Sequence, residues 1–107
     1  MPHYMLQTAY TAEAWAAQVK SPQNRVEAVR PVIERLGGRI ESAYYTFGEY
    51  DLVVILEFPD NVQAAAFALV AAAGGADKAL RTTPLLTIDE GLAALRAAGG
   101  AGYRPPA

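Results

Sequence analysis

Two extended segments separated by a two-residue turn constrain the fold of this chain more than any other feature. Residues 39–47 and 50–58 are rich in aromatic and β-branched side chains, and Gly48 and Glu49 stand between them. This pattern is typical of an antiparallel β-hairpin, and a glycine in the first loop position favours a type II′ turn. We therefore expect an antiparallel sheet built around this hairpin.

Segments with the composition of strands and helices alternate on both sides of the hairpin. Residues 3–10 and 78–83 are predicted to form the first and last strands, and Pro84 should end the last one. Asp60 is the predicted N-cap of a helix over residues 61–73.

A longer helical region lies between the first strand and the hairpin. Thr11 is its expected N-cap, and Ser21 followed by Pro22 is expected to restart the helix. Apolar side chains then recur at steps of three and four until paired glycines end the helix, and Pro31 is expected to kink it. Near the C-terminus, Thr87 and a glutamate three residues later form a capping-box pattern before a final helix.

The resulting order is strand, helix, strand, strand, helix, strand, followed by an additional C-terminal helix. It predicts an α+β fold of the ferredoxin-like class, a β-α-β-β-α-β sandwich with its helices on one side of an antiparallel sheet. A chain of 107 residues has room for one such domain. We assign residues 1–98 to the domain and residues 99–107 to an extended tail.

Alternation along the predicted hairpin divides its side chains between two faces of the sheet. One face is almost entirely apolar and should meet the helices; it carries Ala43, Tyr45, Phe47, Tyr50, Leu52, Val54, Leu56 and Phe58. The other face is mixed and carries Ile40, Ser42, Tyr44, Thr46, Asp51, Val53, Ile55 and Glu57. Its apolar members would be open to water in a monomer, and such a patch usually marks an interface. We therefore expect a homodimer or a higher homo-oligomer that buries the mixed face.

The composition argues against several classes of function. The chain contains no cysteine, which excludes disulfides, thiolate catalysis and sulfur-ligated metals and fits a cytoplasmic protein. The net charge is −2, and the arginines are scattered among acidic residues, so we expect no nucleic-acid partner. No apolar stretch is long enough to span a bilayer, so we expect no membrane partner. A single histidine cannot supply a usual zinc site, and we expect neither a bound metal nor a cofactor.

The sequence around the turn, residues 45–54, together with residues 57–60, resembles the signature of the GYD-domain family. That family takes its name from a glycine, a tyrosine and an aspartate, which stand here as Gly48, Tyr50 and Asp51. The resemblance extends over nearly the whole chain and includes residues 36–38, 81–87 and 103–106. It implies a dimeric α/β barrel, in which two ferredoxin-like domains pair through their sheets, and it implies no particular reaction.

The same turn is similar to that of the ligand-binding domain in Lrp/AsnC-type regulators. Those proteins carry a DNA-binding helical domain before the ligand-binding domain. This sequence begins directly with the first strand, so we do not expect a DNA-binding half.

Side chains of the mixed face would line the space between two paired sheets. An apolar space with a few polar groups is the usual form of a small-molecule site. An arginine in the last strand could pair with an anionic ligand, whereas simple packing also explains the tyrosines near the turn. The predicted ligand-binding residues are Tyr44, Thr46, Tyr50, Glu57 and Arg81.

Asp51 and His3 are the predicted catalytic residues. Asp51 follows the turn, where a carboxylate can either bond to nearby backbone or act as a general base. His3, the single histidine, would carry protons if it faced the cavity, because imidazole titrates near neutral pH. The register of the first strand against the hairpin stays open, so either its odd or its even residues could face the cavity.

Two functions from different classes remain. The first is a small-molecule-binding or sensing module that acts as a homo-oligomer, with the ligand between sheets or at subunit contacts. The alternative is a cofactor-independent monooxygenase or isomerase of the dimeric α/β-barrel group, which would use Asp51, a tyrosine or His3 for proton transfer. A purely structural assembly unit is a third alternative. The lack of a clear catalytic constellation in the sequence favours binding.

Overall fold

The computed structural model describes residues 1–106, within which the chain forms four strands and four helices. In chain order these are β1 (His3–Tyr10), α1 (Ala12–Lys20), α2 (Arg25–Arg35), β2 (Arg39–Tyr45), β3 (Leu52–Glu57), α3 (Asn61–Ala73), β4 (Asp77–Leu85) and α4 (Ile88–Gly99). None of these helices is long and apolar enough to cross a membrane.

The strands form one antiparallel sheet in the order β2-β3-β1-β4. β1 and β3 are the central strands, and along most of their length buried side chains alternate with half-buried ones. The buried side chains pack beneath α1, α2 and α3, which confirms the predicted ferredoxin-like α+β fold. The core consists of Tyr4, Leu6, Tyr10, Ile33, Leu52, Val54, Leu56, Phe58, Ala64 and Phe67.

Each helix begins after a polar residue whose side chain accepts a hydrogen bond from a backbone N–H of the first turn. Thr11, Asp60 and Thr87 cap α1, α3 and α4 as predicted. The start of α2 differs from the prediction, because Asn24 is its N-cap. Ser21 instead follows the last residue of α1, so the helical region is divided into two separate helices.

Two prolines lie inside regular elements. Pro31 is within α2, which runs on to Arg35. Pro84 lies inside β4, opposite Tyr4, so the prediction that it ends the last strand is wrong. β4 is an edge strand, and an edge strand can accommodate a proline because one side of its backbone needs no ladder hydrogen bond.

The connection between β2 and β3 is longer than the predicted two-residue turn. Tyr45 and Leu52 pair as predicted, but they are the last and first residues of their strands. Gly48 does not have the positive φ that a type II′ turn requires. Inside the loop, the N–H of Thr46 donates to the carbonyl of Asp51 at 2.9 Å.

A β-bulge at Glu41 shifts the first part of β2 by one residue. Ile40 pairs with Leu56, and Ser42 pairs with the adjacent Ile55. Glu41 is therefore the extra residue, and alternation is interrupted there. The prediction that Ile40 shares the mixed face with Ser42 is wrong, because Ile40 packs against the core.

Helix α4 projects from the body of the molecule. All of its residues except Gly91 are exposed, including Ile88, Leu92 and Leu95, which share one side of the helix. The radius of gyration is 17.2 Å, whereas a compact domain of this length has about 13 Å. The molecule is accordingly elongated, with extents of 59, 34 and 22 Å.

Phe58 offers a direct test of the core. Its buried ring lies 6.0 Å from the ring centres of both Tyr4 and Phe67. We expect Phe58→Ala to lower the free energy of unfolding by about 3–5 kcal/mol, measured by urea denaturation.

Phe47→Ala is the matched control for this substitution. The sequence predicted that Phe47 meets the helices, but its side chain is fully exposed in the β2–β3 loop. Its replacement should change the free energy of unfolding by less than about 0.5 kcal/mol. Equal effects of the two substitutions would contradict the observed division of faces.

Candidate functional site

The sheet face opposite α1, α2 and α3, here called the open face, is organised in three cross-strand rows. The first row contains Arg39, Glu57, His3 and Leu85; the second contains Ser42, Ile55, Met5 and Thr83; the third contains Tyr44, Val53, Gln7 and Arg81. Neighbouring strands are about 4.8 Å apart, so the members of a row are in contact range. The odd-numbered residues of β1 therefore face this side, which resolves the register that the sequence left open.

Glu57 is the buried acidic residue of the first row. Arg39 donates a hydrogen bond from Nε to Glu57 Oε2, and His3 Nε2 lies 3.4 Å from Glu57 Oε1. The hydrogen bond from Arg39 lowers the pKa of the Glu57 carboxyl from its ordinary value of 4.5. Glu57 is therefore ionised at neutral pH and carries a negative charge into the centre of the row.

The bulge brings Glu41 to the same corner of the open face. Its Oε2 lies 3.6 Å from His3 Nε2, and its side chain is half exposed. The imidazole thus has two carboxylates beside Nε2, while its Nδ1 is buried without a hydrogen-bond partner in residues 1–106. Sequence reasoning missed this group, because strict alternation in β2 places Glu41 on the side of the helices.

The third row carries a second set of polar groups. Tyr44 is 67% exposed, and Arg81 is exposed on the edge strand β4. His3 and Gln7 are four residues apart on β1, so the first and third rows are about 13 Å apart. Between them lies the second row, whose central side chains, Met5 and Ile55, are apolar. Of the seven predicted site residues, the open face brings together His3, Tyr44, Glu57 and Arg81.

Asp51 does not join the open face. Its Oδ2 accepts hydrogen bonds from the backbone N–H of Tyr10 at 2.9 Å and from Trp15 Nε1 at 3.2 Å. Trp15 belongs to α1 and packs against the core, so the carboxylate points toward the helix layer. Asp51 thereby ties the β2–β3 loop to the end of β1 and to α1.

Thr46 and Tyr50 also lie in the β2–β3 loop, beyond the third row. The hydroxyl of Thr46 donates to the carbonyl of Tyr50 at 2.6 Å. The hydroxyl of Thr46 is therefore engaged in closing the loop.

The two predicted catalytic residues are far apart. His3 pairs with Glu57 at one end of β1, whereas the N–H of Asp51 donates to the carbonyl of Thr8 at the other end. His3 and Thr8 are five residues apart on the extended strand, which corresponds to about 17 Å. His3 and Asp51 therefore cannot act together on one small substrate.

A cavity of about 190 Å³ lies on the other side of the sheet, between β1, β3, α2 and α3. Apolar side chains dominate its lining, which includes Leu6, Val29, Ile33, Val54, Phe67 and Val70. At its polar part, Thr8 donates a hydrogen bond to Asp77 Oδ1, and Arg25 also lines the wall. The sequence did not indicate this space, because alternation predicts which residues face the helices and not how closely the helices pack.

Asp51→Ala tests the structural role of this carboxylate. The substitution leaves the N–H groups of Tyr10 and Trp15 without their acceptor, so we expect the free energy of unfolding to fall by about 1–3 kcal/mol. Urea denaturation followed by the fluorescence of Trp15, the single tryptophan, measures this change. Glu49→Ala removes an exposed carboxylate from the same loop and should have little effect. A stable Asp51→Ala variant with unchanged Trp15 fluorescence would contradict both hydrogen bonds.

The lowered pKa of Glu57 predicts an acid dependence of stability. Because the folded pKa lies below the unfolded one, the ionised carboxylate stabilises the fold fully above the unfolded value of 4.5. This contribution is lost as the pH falls through the lower folded pKa. Urea unfolding from about pH 7 to about pH 3 should show a smaller loss of stability for Glu57→Gln than for the wild type. Glu49→Gln should keep the wild-type profile, and an unchanged profile in Glu57→Gln would argue against the ion pair.

Two solved structures are similar to this chain in fold. The crystal structure of MtbAldR aligns with a TM-score of 0.58 at 16% identity, over 80% of this chain and 53% of that chain. The crystal structure of FFRP-DM1 aligns with a TM-score of 0.50 at 16% identity, over 80% of this chain and 100% of that chain. This chain thus spans about half the length of MtbAldR. At this identity the likeness shows the shared ferredoxin-like α+β fold.

None of the curated proteins compared with the chain matches it. The family model of the GYD domain matches residues 4–95. That span runs from β1 into α4 and includes Gly48, Tyr50 and Asp51, which carry the resemblance seen in the sequence. The chain belongs to the GYD-domain family.

Proposed function

We propose that this chain is a small-molecule-binding or sensing module that acts as a homo-oligomer, with its ligand held between two paired sheets. The observation that supports this most directly is the open face, where the apolar centre of the second row, Met5 and Ile55, lies between the charged and polar groups of the first and third rows. Pairing two such faces would enclose an apolar space with polar groups at its ends. That arrangement is the usual form of a small-molecule site.

The apolar side chains of the open face give the pairing a modest driving force. Met5, Val53 and Ile55 are half-buried in the single chain. Full burial of an exposed side chain of this kind stabilises by about 1.5–3 kcal/mol. Half of that value for each of the three side chains, counted in both chains of a pair, amounts to about 5–9 kcal/mol. The loss of translational and rotational freedom on association costs about 4–15 kcal/mol. Because the two terms are similar in size, one charge buried in this face should prevent pairing.

Ile55→Glu tests the pairing of sheets. The new carboxylate would lie in the middle of the second row, where a partner sheet would remove it from water. We expect the wild type to be a dimer or a larger oligomer and the variant to be a monomer, measured by sedimentation equilibrium. Leu69→Glu is the matched control, because Leu69 is 71% exposed on α3, on the other side of the sheet. A monomeric wild type would contradict the proposed assembly.

A thermal-shift screen against small carboxylic acids and phosphates tests ligand binding. A ligand at one hundred times its dissociation constant adds about 2.7 kcal/mol of stability. We expect Arg81→Ala, in the third row, to reduce the shift, and Arg96→Ala, on exposed α4, to preserve it. Ala71→Leu, which fills the helix–sheet cavity, should also preserve it. A shift that only Ala71→Leu abolishes would place the ligand in that cavity and contradict binding between the sheets.

The alternative function as a cofactor-independent monooxygenase or isomerase gains no support from the geometry of the described residues. Its proposed base, Asp51, already accepts two N–H hydrogen bonds, and its other proton carrier, His3, is at the far end of β1.

Three further expectations stay predictions from the sequence. They are a cytoplasmic location, the lack of nucleic-acid and membrane partners, and the division into residues 1–98 and 99–107.

A further inference from the structure

We infer that His3, Glu41 and Glu57 form a three-ligand zinc site at the corner of the open face. The inference goes beyond the proposed function and does not depend on it, because all three ligands come from one chain. It also departs from the expectation of no metal, which rested on the presence of a single histidine.

The distances between the three side chains match the spacing of zinc ligands. A tetrahedral ion with bonds of about 2.0–2.2 Å holds neighbouring ligand atoms about 3.3–3.6 Å apart. His3 Nε2 lies 3.4 Å from Glu57 Oε1 and 3.6 Å from Glu41 Oε2. All three ligand atoms lie within 4.8 Å of one another. The Glu41 side chain is half exposed, so its carboxylate can adjust its position to complete the tetrahedral spacing.

The donor set favours zinc over the common hard cations. Zn²⁺ accepts a mixture of imidazole nitrogen and carboxylate oxygen, whereas Mg²⁺ and Ca²⁺ prefer oxygen ligands alone and higher coordination numbers. Two carboxylates also balance the two positive charges of the ion. A single histidine is therefore sufficient for a zinc site when the fold brings two glutamates beside it.

Arg39 fits the role of an outer-shell partner. It donates to Glu57 Oε2, which leaves Glu57 Oε1 facing His3 and free to ligate. Carboxylates that bind a metal commonly accept a hydrogen bond through the second oxygen, which fixes their orientation. Burial of Glu57 between its neighbours holds that orientation further.

A tetrahedral ion at this corner keeps one coordination position for a non-protein ligand. The side chains of His3 and Glu41 are 28% and 49% exposed, so water or an anionic oxygen can reach the ion from the open side. Zinc sites with three protein ligands and one exchangeable position are the type that binds small molecules or activates water.

Titration of the full chain, free of any affinity tag, with ZnCl₂ tests the site. Competition against a coloured zinc chelator should show one ion per chain. Replacing a residue that only hydrogen-bonds to a metal ligand lowers metal affinity by about 10–100-fold. Replacing a ligand itself should cost at least as much, so we expect His3→Ala and Glu41→Gln each to weaken zinc binding by that factor or more. Glu49→Gln makes the same chemical change as Glu41→Gln at an exposed loop position and should bind as the wild type does.

Cobalt(II) provides a second readout that reports on geometry. In a tetrahedral site this ion absorbs visible light strongly, and its absorption should disappear in Glu41→Gln, whose half-exposed side chain lies outside the core. The Ile55→Glu variant should still bind zinc as a monomer. A loss of sheet pairing and a loss of zinc binding can therefore be distinguished. Absence of saturable binding, or equal binding by wild type, His3→Ala and Glu41→Gln, would overturn the inference.

Discussion

Burial of one face of β1 and β3 beneath the helices is the constraint on which the other features depend. Tyr4, Leu6, Val54 and Leu56 are buried beneath α1, α2 and α3, so the side chains between them must point to the opposite side. That opposite side still carries apolar residues at its centre, because Met5, Val53 and Ile55 of the two central strands point to it. The fold therefore completes one hydrophobic layer within the chain and leaves the second layer open to another surface.

Features that depend on neighbouring residues were predicted well from the sequence. The helix over residues 61–73 and its cap Asp60 agree with the structure, since a cap and the N–H it accepts lie three residues apart. β1 has its predicted bounds, and the pairing of Tyr45 with Leu52 is confirmed. These signals are local, so no distant contact had to be known to predict them, although the local signals at Ser21 and Pro84 were misleading.

Features that depend on a single extra residue or on distant contacts were not predictable in the same way. The bulge at Glu41 changes the face of Ile40, yet nothing in the composition of β2 distinguishes it from a regular strand. Asp51 leaves the open face because Tyr10 and Trp15, some forty residues earlier, supply N–H donors. The sequence therefore named four residues that the open face carries, but the group formed by His3, Glu41 and Glu57 was found only in three dimensions.

The bulge also divides the positions of β2 into two kinds, which differ in how freely their side chains can be exchanged. Its extra residue, at position 41, contributes no side chain to the core, so exchanging that side chain alters the charge of a corner of the molecule at almost no expense to folding. Residues on either side of it are tied to the register and cannot change so freely. A single substitution at position 41 can therefore change the chemistry of this corner while the core of the fold keeps all of its side chains.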